Sequence, residues 1–169
     1  MIAVCKAMNN HTKKIRHKPG FTLMEVLIVV LILGVLAAMI IAQFAGATDD
    51  AQRTAFIANG RIFREQAKHF QLDNGVYPED ASSGTLPDGF GYYVQQNKWE
   101  GGTPIGGVWD AERDSFGLRS SIGVHFNGFG KTRDDAYMQQ IDAAMDDGDL
   151  ATGGFRKIAD DRYYMVVVE

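Results

Sequence analysis

A single carboxylate lies in the longest apolar stretch of this sequence, where a charge needs a partner. Residues 21–44 number 24 and contain one ionisable side chain, that of Glu25. A helix of that length, at about 1.5 Å per residue, can cross a hydrocarbon core of about 30 Å. A lone carboxylate within such a span costs on the order of 2.5–3.5 kcal/mol. We therefore expect Glu25 to pair with a dedicated cation.

The residues that surround Glu25 form a motif. Residues 18–25 read Lys-Pro-Gly-Phe-Thr-Leu-Met-Glu, which resembles the cleavage and methylation signature of type IV pilins and type II secretion pseudopilins. The resemblance implies that a prepilin peptidase cuts between Gly20 and Phe21 and methylates the new amino terminus of Phe21. It also implies that Glu25 pairs with the Phe21 ammonium of a neighbouring subunit. Without this motif, the run would read as a simple signal anchor.

A second match lies about fifty residues further along. Residues 72–78 read Leu-Asp-Asn-Gly-Val-Tyr-Pro and resemble the end of the long helix in type II secretion major pseudopilins. Asn and Gly accept the left-handed conformation that ends helices, and proline soon after prevents continuation. The order and spacing of the two matches favour the pseudopilin branch of the family.

The sequence predicts three segments: a leader peptide at residues 1–20, a transmembrane or filament-core helix at 21–44, and a periplasmic pilin-like domain at 45–169. The leader has five basic residues and no acidic one, which predicts that it stays in the cytoplasm. The remainder has 12 basic and 21 acidic residues, and such an acidic domain argues against nucleic-acid binding. Because the only cysteine, Cys5, lies in the leader, the mature chain has no disulfide.

We expect one continuous helix from about Thr22 to Asp73, since no proline occurs between Pro19 and Pro78. Its second half has an apolar stripe at helical spacing, formed by Phe56, Phe63, Ala67 and Phe70. A basic stripe lies beside it, formed by Arg53, Arg61, Arg64 and Lys68. The basic stripe is either a solvated face or a subunit contact.

The rest of the chain predicts an α+β fold in which the long N-terminal helix packs under a small antiparallel sheet. Alternating segments at residues 107–112 and 118–126 predict a hairpin, and residues 162–168 predict a last strand. A helix follows the hairpin, with Thr132 or Asp134 as its N-cap. Together with an extended segment that starts near residue 153, these elements predict a meander of three or four strands.

Catalytic readings have little support. Ser120, Ser121 and His125 can be combined with nearby carboxylates into a triad, but no nucleophile-elbow or zinc-helix spacing accompanies them. We expect His125 to face solvent, and we expect Asp110, Glu112 and Asp114 to form a solvated face or part of a cation site. The interpretation is that the protein is not an enzyme. One alternative remains a secreted hydrolase released by signal peptidase after Ala47.

The aromatic residues suggest another alternative. Tyr92, Tyr93 and Trp99 follow a turn-rich segment, and we expect them to cover the core. The alternative is a membrane-anchored exported protein that binds a ligand or a secreted substrate through this aromatic surface.

A group of acidic residues near the C-terminus has the chemistry of a cation site. Asp142, Asp146, Asp147 and Asp149 surround Gly148, and calcium requires six to eight oxygen ligands from flexible loops. The spacing does not match an EF-hand. Major pseudopilins carry a calcium-stabilised loop near the C-terminus, so the resemblance makes calcium a candidate cofactor. Helix capping by the same residues is the other interpretation.

Together, the motifs predict a structural subunit of a type II secretion pseudopilus or of a type IV pilus-like filament. The implied partners are the prepilin peptidase, other copies of the chain, minor pseudopilins and an inner-membrane assembly platform. The implied location is the bacterial inner membrane, crossed once with the C-terminal domain in the periplasm, and then a filament that spans the envelope or extends outside the cell.

Overall fold

The computed structural model describes residues 20–128 and 130–169, and in residues 41–45 it describes the backbone only. Apart from Gly20, the predicted leader therefore lies outside the described residues. The chain divides into two compact units, of which the first ends at Gln43 and the second comprises Phe44–Glu169.

The first helix, α1, comprises Leu23–Asn74, and the boundary between the two units falls within it. In the first unit, its apolar side chains are exposed from Leu23 to Ile40. The window Leu23–Ile40 has a mean hydropathy of 2.9 and is long and apolar enough to cross a membrane. The exposed surface of this unit is therefore one that lipid or neighbouring helices can cover.

The second unit combines the rest of α1 with a sheet and two shorter helices. A 3₁₀ turn at Phe90–Tyr92 precedes the remaining elements, which are α2 (Gln96–Glu100), β1 (Val108–Ser115), β2 (Leu118–His125), α3 (Asp135–Met145), β3 (Phe155–Ala159) and β4 (Arg162–Val168). The four strands are antiparallel. The predicted α+β fold, with a long N-terminal helix and a small antiparallel sheet, is confirmed.

The strand order is β1-β2-β4-β3, so the prediction of a simple meander is wrong. The chain leaves β2 through α3, returns as the edge strand β3, and turns back so that β4 pairs with both β2 and β3. Tyr163, Tyr164 and Met165 of β4 are buried, whereas β3 is half-buried after Phe155. The central position therefore goes to the strand with more apolar surface to bury.

The core lies between α1 and the sheet. The predicted apolar stripe of α1 is buried. Trp109 of β1 stacks on Phe56 with ring centroids 5.1 Å apart and meets Phe63 edge-on at 4.9 Å. Aromatic pairs of this kind contribute about 0.5–1.5 kcal/mol beyond the area that they bury. Because the stripe repeats along two turns of α1, these contacts fix the helix against the sheet.

The prediction that three aromatic residues cover the core holds for two of them. Trp99 is fully buried, and its indole N–H donates to the Thr85 carbonyl at 3.0 Å. Tyr93 is half-buried and packs edge-on against Phe70. Tyr92 is 95% exposed, so the proposed aromatic surface is reduced to one ring.

On the sheet face opposite α1, two carboxylates expected to be solvated are buried. Asp110 and Glu112 are 2% and 3% exposed, whereas Asp114, near the end of β1, is exposed. Arg162 of β4 donates to Asp110 at 3.1 Å and also to Glu112. The alternation along β1 correctly predicted that Asp110 and Glu112 share one face of the sheet. The loop at residues 80–83 lies over that face. Alternation within a strand carries no information about a loop that covers it.

His125 belongs to the same buried network, so the prediction that it faces solvent is also wrong. Its Nδ1 lies 2.7 Å from Ser83 Oγ, and its Nε2 lies 3.1 Å from Asp161 Oδ2. Ser83 Oγ donates to Asp110 at 2.9 Å. His125 thus connects the covering loop to the turn between β3 and β4.

Arg162→Met should destabilise the soluble fragment 46–169 by about 3 kcal/mol at pH 8, because it leaves two buried carboxylates without their cation. The free energy of unfolding in urea measures this cost. Arg119→Met is the matched control, since Arg119 is exposed and makes no ion pair within the described part of the chain. Equal costs for the two variants would contradict the account.

Candidate functional site

The start of α1 is a capping box built from Thr22 and Glu25. The Thr22 backbone N–H and hydroxyl donate to Glu25 Oε2 at 2.9 and 3.0 Å. In return, the Glu25 N–H donates to Thr22 Oγ1 at 3.2 Å. This reciprocal pairing satisfies backbone donors that a helix start leaves free. The motif at residues 18–25 predicted Glu25 only as a partner for another subunit, and its role in the capping box was not predicted. A threonine three residues before a glutamate is the usual sequence signal of a capping box.

The predicted cleavage junction precedes the capping box directly. Phe21 is 83% exposed, and no atom of the described residues lies within 4 Å of the position that a Cβ would occupy on Gly20. The backbone at the junction is therefore open to an approaching enzyme. Glu25 is exposed as well, so its carboxylate remains accessible while it accepts hydrogen bonds from Thr22.

The structure brings together three of the four acidic residues proposed as a cation site. Asp142, Asp146 and Asp147 each offer a carboxylate oxygen, and these oxygens lie within 4.8 Å of one another. Asp142 is fully buried in α3, and neither of its oxygens has a hydrogen-bond partner. A buried carboxylate with bare oxygens is costly unless something binds it. Asp149 lies apart from this group, and its Oδ1 accepts from the Ala151 N–H at 3.0 Å.

Hydrogen bonds from the loop after α3 orient the two exposed members. Asp147 accepts from the Asp149 N–H at 2.9 Å and from the Thr152 hydroxyl at 2.8 Å. Asp146 accepts from the Gly154 N–H. Gly148 has a φ of 82°, a conformation that favours glycine and lets the loop fold back on the end of α3. The loop therefore holds both carboxylates in place beside Asp142.

The electrostatics of this group favour a bound cation. Burial, together with the charges of Asp147 and Asp146, raises the pKa of Asp142 to about 6. The hydrogen bond from the Asp149 N–H lowers the pKa of Asp147 below its ordinary value. A hard cation that binds carboxylate oxygens would stabilise the ionised form of all three. The donor set therefore fits calcium in ligand type, with carbonyl groups and water needed to complete six to eight ligands.

The candidate triad takes a different form from the one considered in the sequence. His125 contacts Ser83 and Asp161, and neither Ser120 nor Ser121 is its partner. The Ser83 hydroxyl also donates to Asp110 at 2.9 Å, so it is held between a carboxylate of β1 and the imidazole of β2. The network therefore joins the covering loop to the sheet.

Comparison with known families identifies a motif at the N-terminal end of the chain. The family model of the prokaryotic N-terminal methylation motif matches residues 15–41. The chain is 36% identical over 66 residues to the type II secretion system core protein G of Vibrio cholerae serotype O1, which covers 39% of this chain and 45% of that protein. It is 31% identical over 81 residues to the protein of the same name from Dickeya chrysanthemi, covering 48% and 49%.

A pilin is similar as well. The type IV major pilin protein PilE1 of Neisseria gonorrhoeae is 31% identical over 106 residues, covering 61% of this chain and 47% of the pilin. The chain thus spans about half the length of the curated relatives that it matches. The motif and the similar proteins agree with the signature at residues 18–25.

Asp142→Asn should change how the stability of the metal-free fragment 46–169 depends on pH. The pKa of Asp142 is about 6 in the folded state against about 3.8 when unfolded. The folded state therefore binds more protons in this window, so the wild type loses stability as the pH rises from about 4 to 6. Because Asn does not titrate, the variant should gain about 2 kcal/mol on the wild type between pH 4.5 and 7.5. Urea unfolding in a chelator measures this, and a pH-independent difference would contradict it.

Proposed function

We propose that this type IV pilin-like protein is a structural subunit of a type II secretion pseudopilus or of a type IV pilus-like filament, polymerised through its N-terminal helix. One observation carries the proposal. An open Gly20–Phe21 junction is followed at once by a capped Glu25 at the head of a helix apolar enough to span a membrane. The family model of the N-terminal methylation motif matches this part of the chain, at residues 15–41.

Before assembly, residues 21–44 anchor the chain once in the inner membrane. The basic leader stays in the cytoplasm, and the domain that follows lies in the periplasm. The prepilin peptidase cuts after Gly20 and methylates Phe21. The cut places a new ammonium group four residues before Glu25, at the edge of the apolar phase.

Assembly then depends on charge pairing between copies. Glu25 of an incoming subunit neutralises the Phe21 ammonium of a neighbour, which removes the cost of two charges beside hydrocarbon. The capping box holds the Glu25 carboxylate at the start of α1 through its bonds to Thr22. Since an ionised carboxylate can accept about four hydrogen bonds, it can bind an ammonium without releasing Thr22. The capped geometry is therefore already suitable for the contact.

The partners in this process are the prepilin peptidase, other copies of the chain, minor pseudopilins and an inner-membrane assembly platform. The role is structural and not enzymatic, which agrees with the similarity to type II secretion core proteins and to a pilin. Because the chain after the leader has 12 basic and 21 acidic residues, it is also not expected to bind nucleic acid.

We further propose that Asp142, Asp146 and Asp147 hold calcium in the folded domain. The two bare oxygens of buried Asp142 support this assignment, because helix capping alone would leave them unpartnered. The ion would neutralise three adjacent carboxylates and fix the loop at residues 146–154 to α3. Its role would be structural.

Processing and assembly can be tested separately. Mass spectrometry of the mature chain should find methylated Phe21 as the first residue. A chain that began at Thr48 would instead support the secreted hydrolase. Glu25→Ala should be cleaved like the wild type but should fail to enter filaments, since it cannot neutralise the neighbouring ammonium. The measurement is the mature amount in membranes against the amount in sheared filaments.

Two further outcomes decide the mechanism. Normal assembly of Glu25→Ala would refute the charge-pairing step. Glu25→Asp is the matched comparison, because it keeps the charge and shortens the reach. Partial assembly by that variant would show that position as well as charge is required.

Calcium should raise the thermal stability of fragment 46–169, because an ion that binds only the folded state stabilises it by about 2.7 kcal/mol at a concentration of 100 times its Kd. The expected result is a higher Tm in calcium than in chelator. Asp147→Asn should lose most of this increase, whereas Asp114→Asn, at an exposed position near the end of β1, should keep it. An unchanged Tm would exclude a stabilising calcium site in this fragment.

A further inference from the structure

The half of α1 that lies in the second unit has a basic face beside its buried apolar stripe. We define the basic face as Arg61, Arg64 and Lys68, which occur at helical spacings of three and four. Phe63 and Ala67, in the same turns, are buried in the core. Arg61 is exposed, and Arg64 and Lys68 are partly exposed. Part of this face is therefore accessible from outside the unit.

The charges of this face are not fully compensated within the subunit. Arg61 makes no ion pair or hydrogen bond with any described residue. Arg64 Nε lies 3.6 Å from a Glu65 oxygen, and this buried N–H has no hydrogen-bond partner. Lys68 pairs with the same Glu65 at 2.9 Å. Arg64 and Lys68 thus share one carboxylate, and Arg61 has none among the described residues.

The remainder of the unit has the opposite charge. Phe44–Glu169 contains 12 basic and 20 acidic side chains, a formal charge of −8. Without the basic face and Glu65, the rest would carry −10. Copies of such a domain repel one another when they are brought close, unless a positive surface of one meets a negative surface of the next.

Resting on the proposed function, we propose that the basic face is the docking surface for the acidic surface of a second copy in the filament. Leu72, four residues after Lys68, is 75% exposed and gives the face an apolar edge. An exposed apolar group beside cations whose charge is only partly compensated is the composition of an interface, in which complementary charges set the register and apolar contact excludes water. The partner is a second copy because the same span holds all copies in one membrane.

Zero-length crosslinking tests the contact directly. Filaments from a mixture of ¹⁴N- and ¹⁵N-labelled full chains are treated with a carbodiimide, which joins an amine to a carboxylate in contact with it. We expect mixed-isotope peptides that link Lys68 to an Asp or Glu of another copy. Filaments that yield only same-copy links, such as Lys68 to Glu65, would overturn the proposal.

Charge reversal supplies a second test. Arg61→Glu with Lys68→Glu should reduce sheared filaments at least tenfold, while cleavage and methylation at Phe21 and the Tm of fragment 46–169 stay unchanged. Arg61→Lys with Lys68→Arg should assemble normally, and Arg119→Glu, which reverses an exposed charge elsewhere, should as well. Normal assembly of the double reversal would overturn the docking surface. If the wild-type chain itself formed no filaments, the proposed function would fail instead.

Discussion

A carboxylate removed from water must find a positive or hydrogen-bonding partner, and this constraint governs the structure at several points. At the membrane end, Glu25 lies in a helix that is otherwise uncharged over the whole span. Its first partner is Thr22, whose N–H and hydroxyl both donate to it. The same atoms that start the helix therefore also position the charge that assembly would use.

The domain meets the same constraint in two different ways. On the outer face of the sheet, Arg162 lies between Asp110 and Glu112. Burial and the nearby charges of Asp80 and Asp110 still raise the pKa of Glu112 to about 7, so one cation does not fully offset two buried carboxylates. In α3, the carboxylate of Asp142 has neither a basic side chain nor a hydrogen-bond donor as its partner among the described residues. An external ion would supply what Arg162 supplies at the first site.

Packing connects these charged sites to a rigid scaffold. The aromatic stripe of α1 fixes the helix against Trp109, which leaves the neighbouring stripe of the helix able to carry cations. Where α1 enters this unit, Arg133 donates to Asp49 at 2.9 Å and to the Ile105 carbonyl at 3.0 Å. Apolar contacts thus fix the position of α1 against the sheet, and the charged residues on its surface determine which partners it can bind.

The sequence by itself determined the features that depend on local pattern. A carboxylate at a set distance from a Gly-Phe junction, an uninterrupted apolar run and a 3.6-residue aromatic stripe specify the anchor, the cleavage signature and the buried side of α1. Tertiary structure alone decided that Asp110 and Glu112 are buried and that His125 is half-buried, because the loop that covers them comes from a distant part of the chain. It also decided that β4 lies inside the sheet, and that Asp142 joins Asp146 and Asp147 without Asp149. These outcomes depend on which surfaces meet after the chain folds back on itself, and periodicity within one segment carries no information about that.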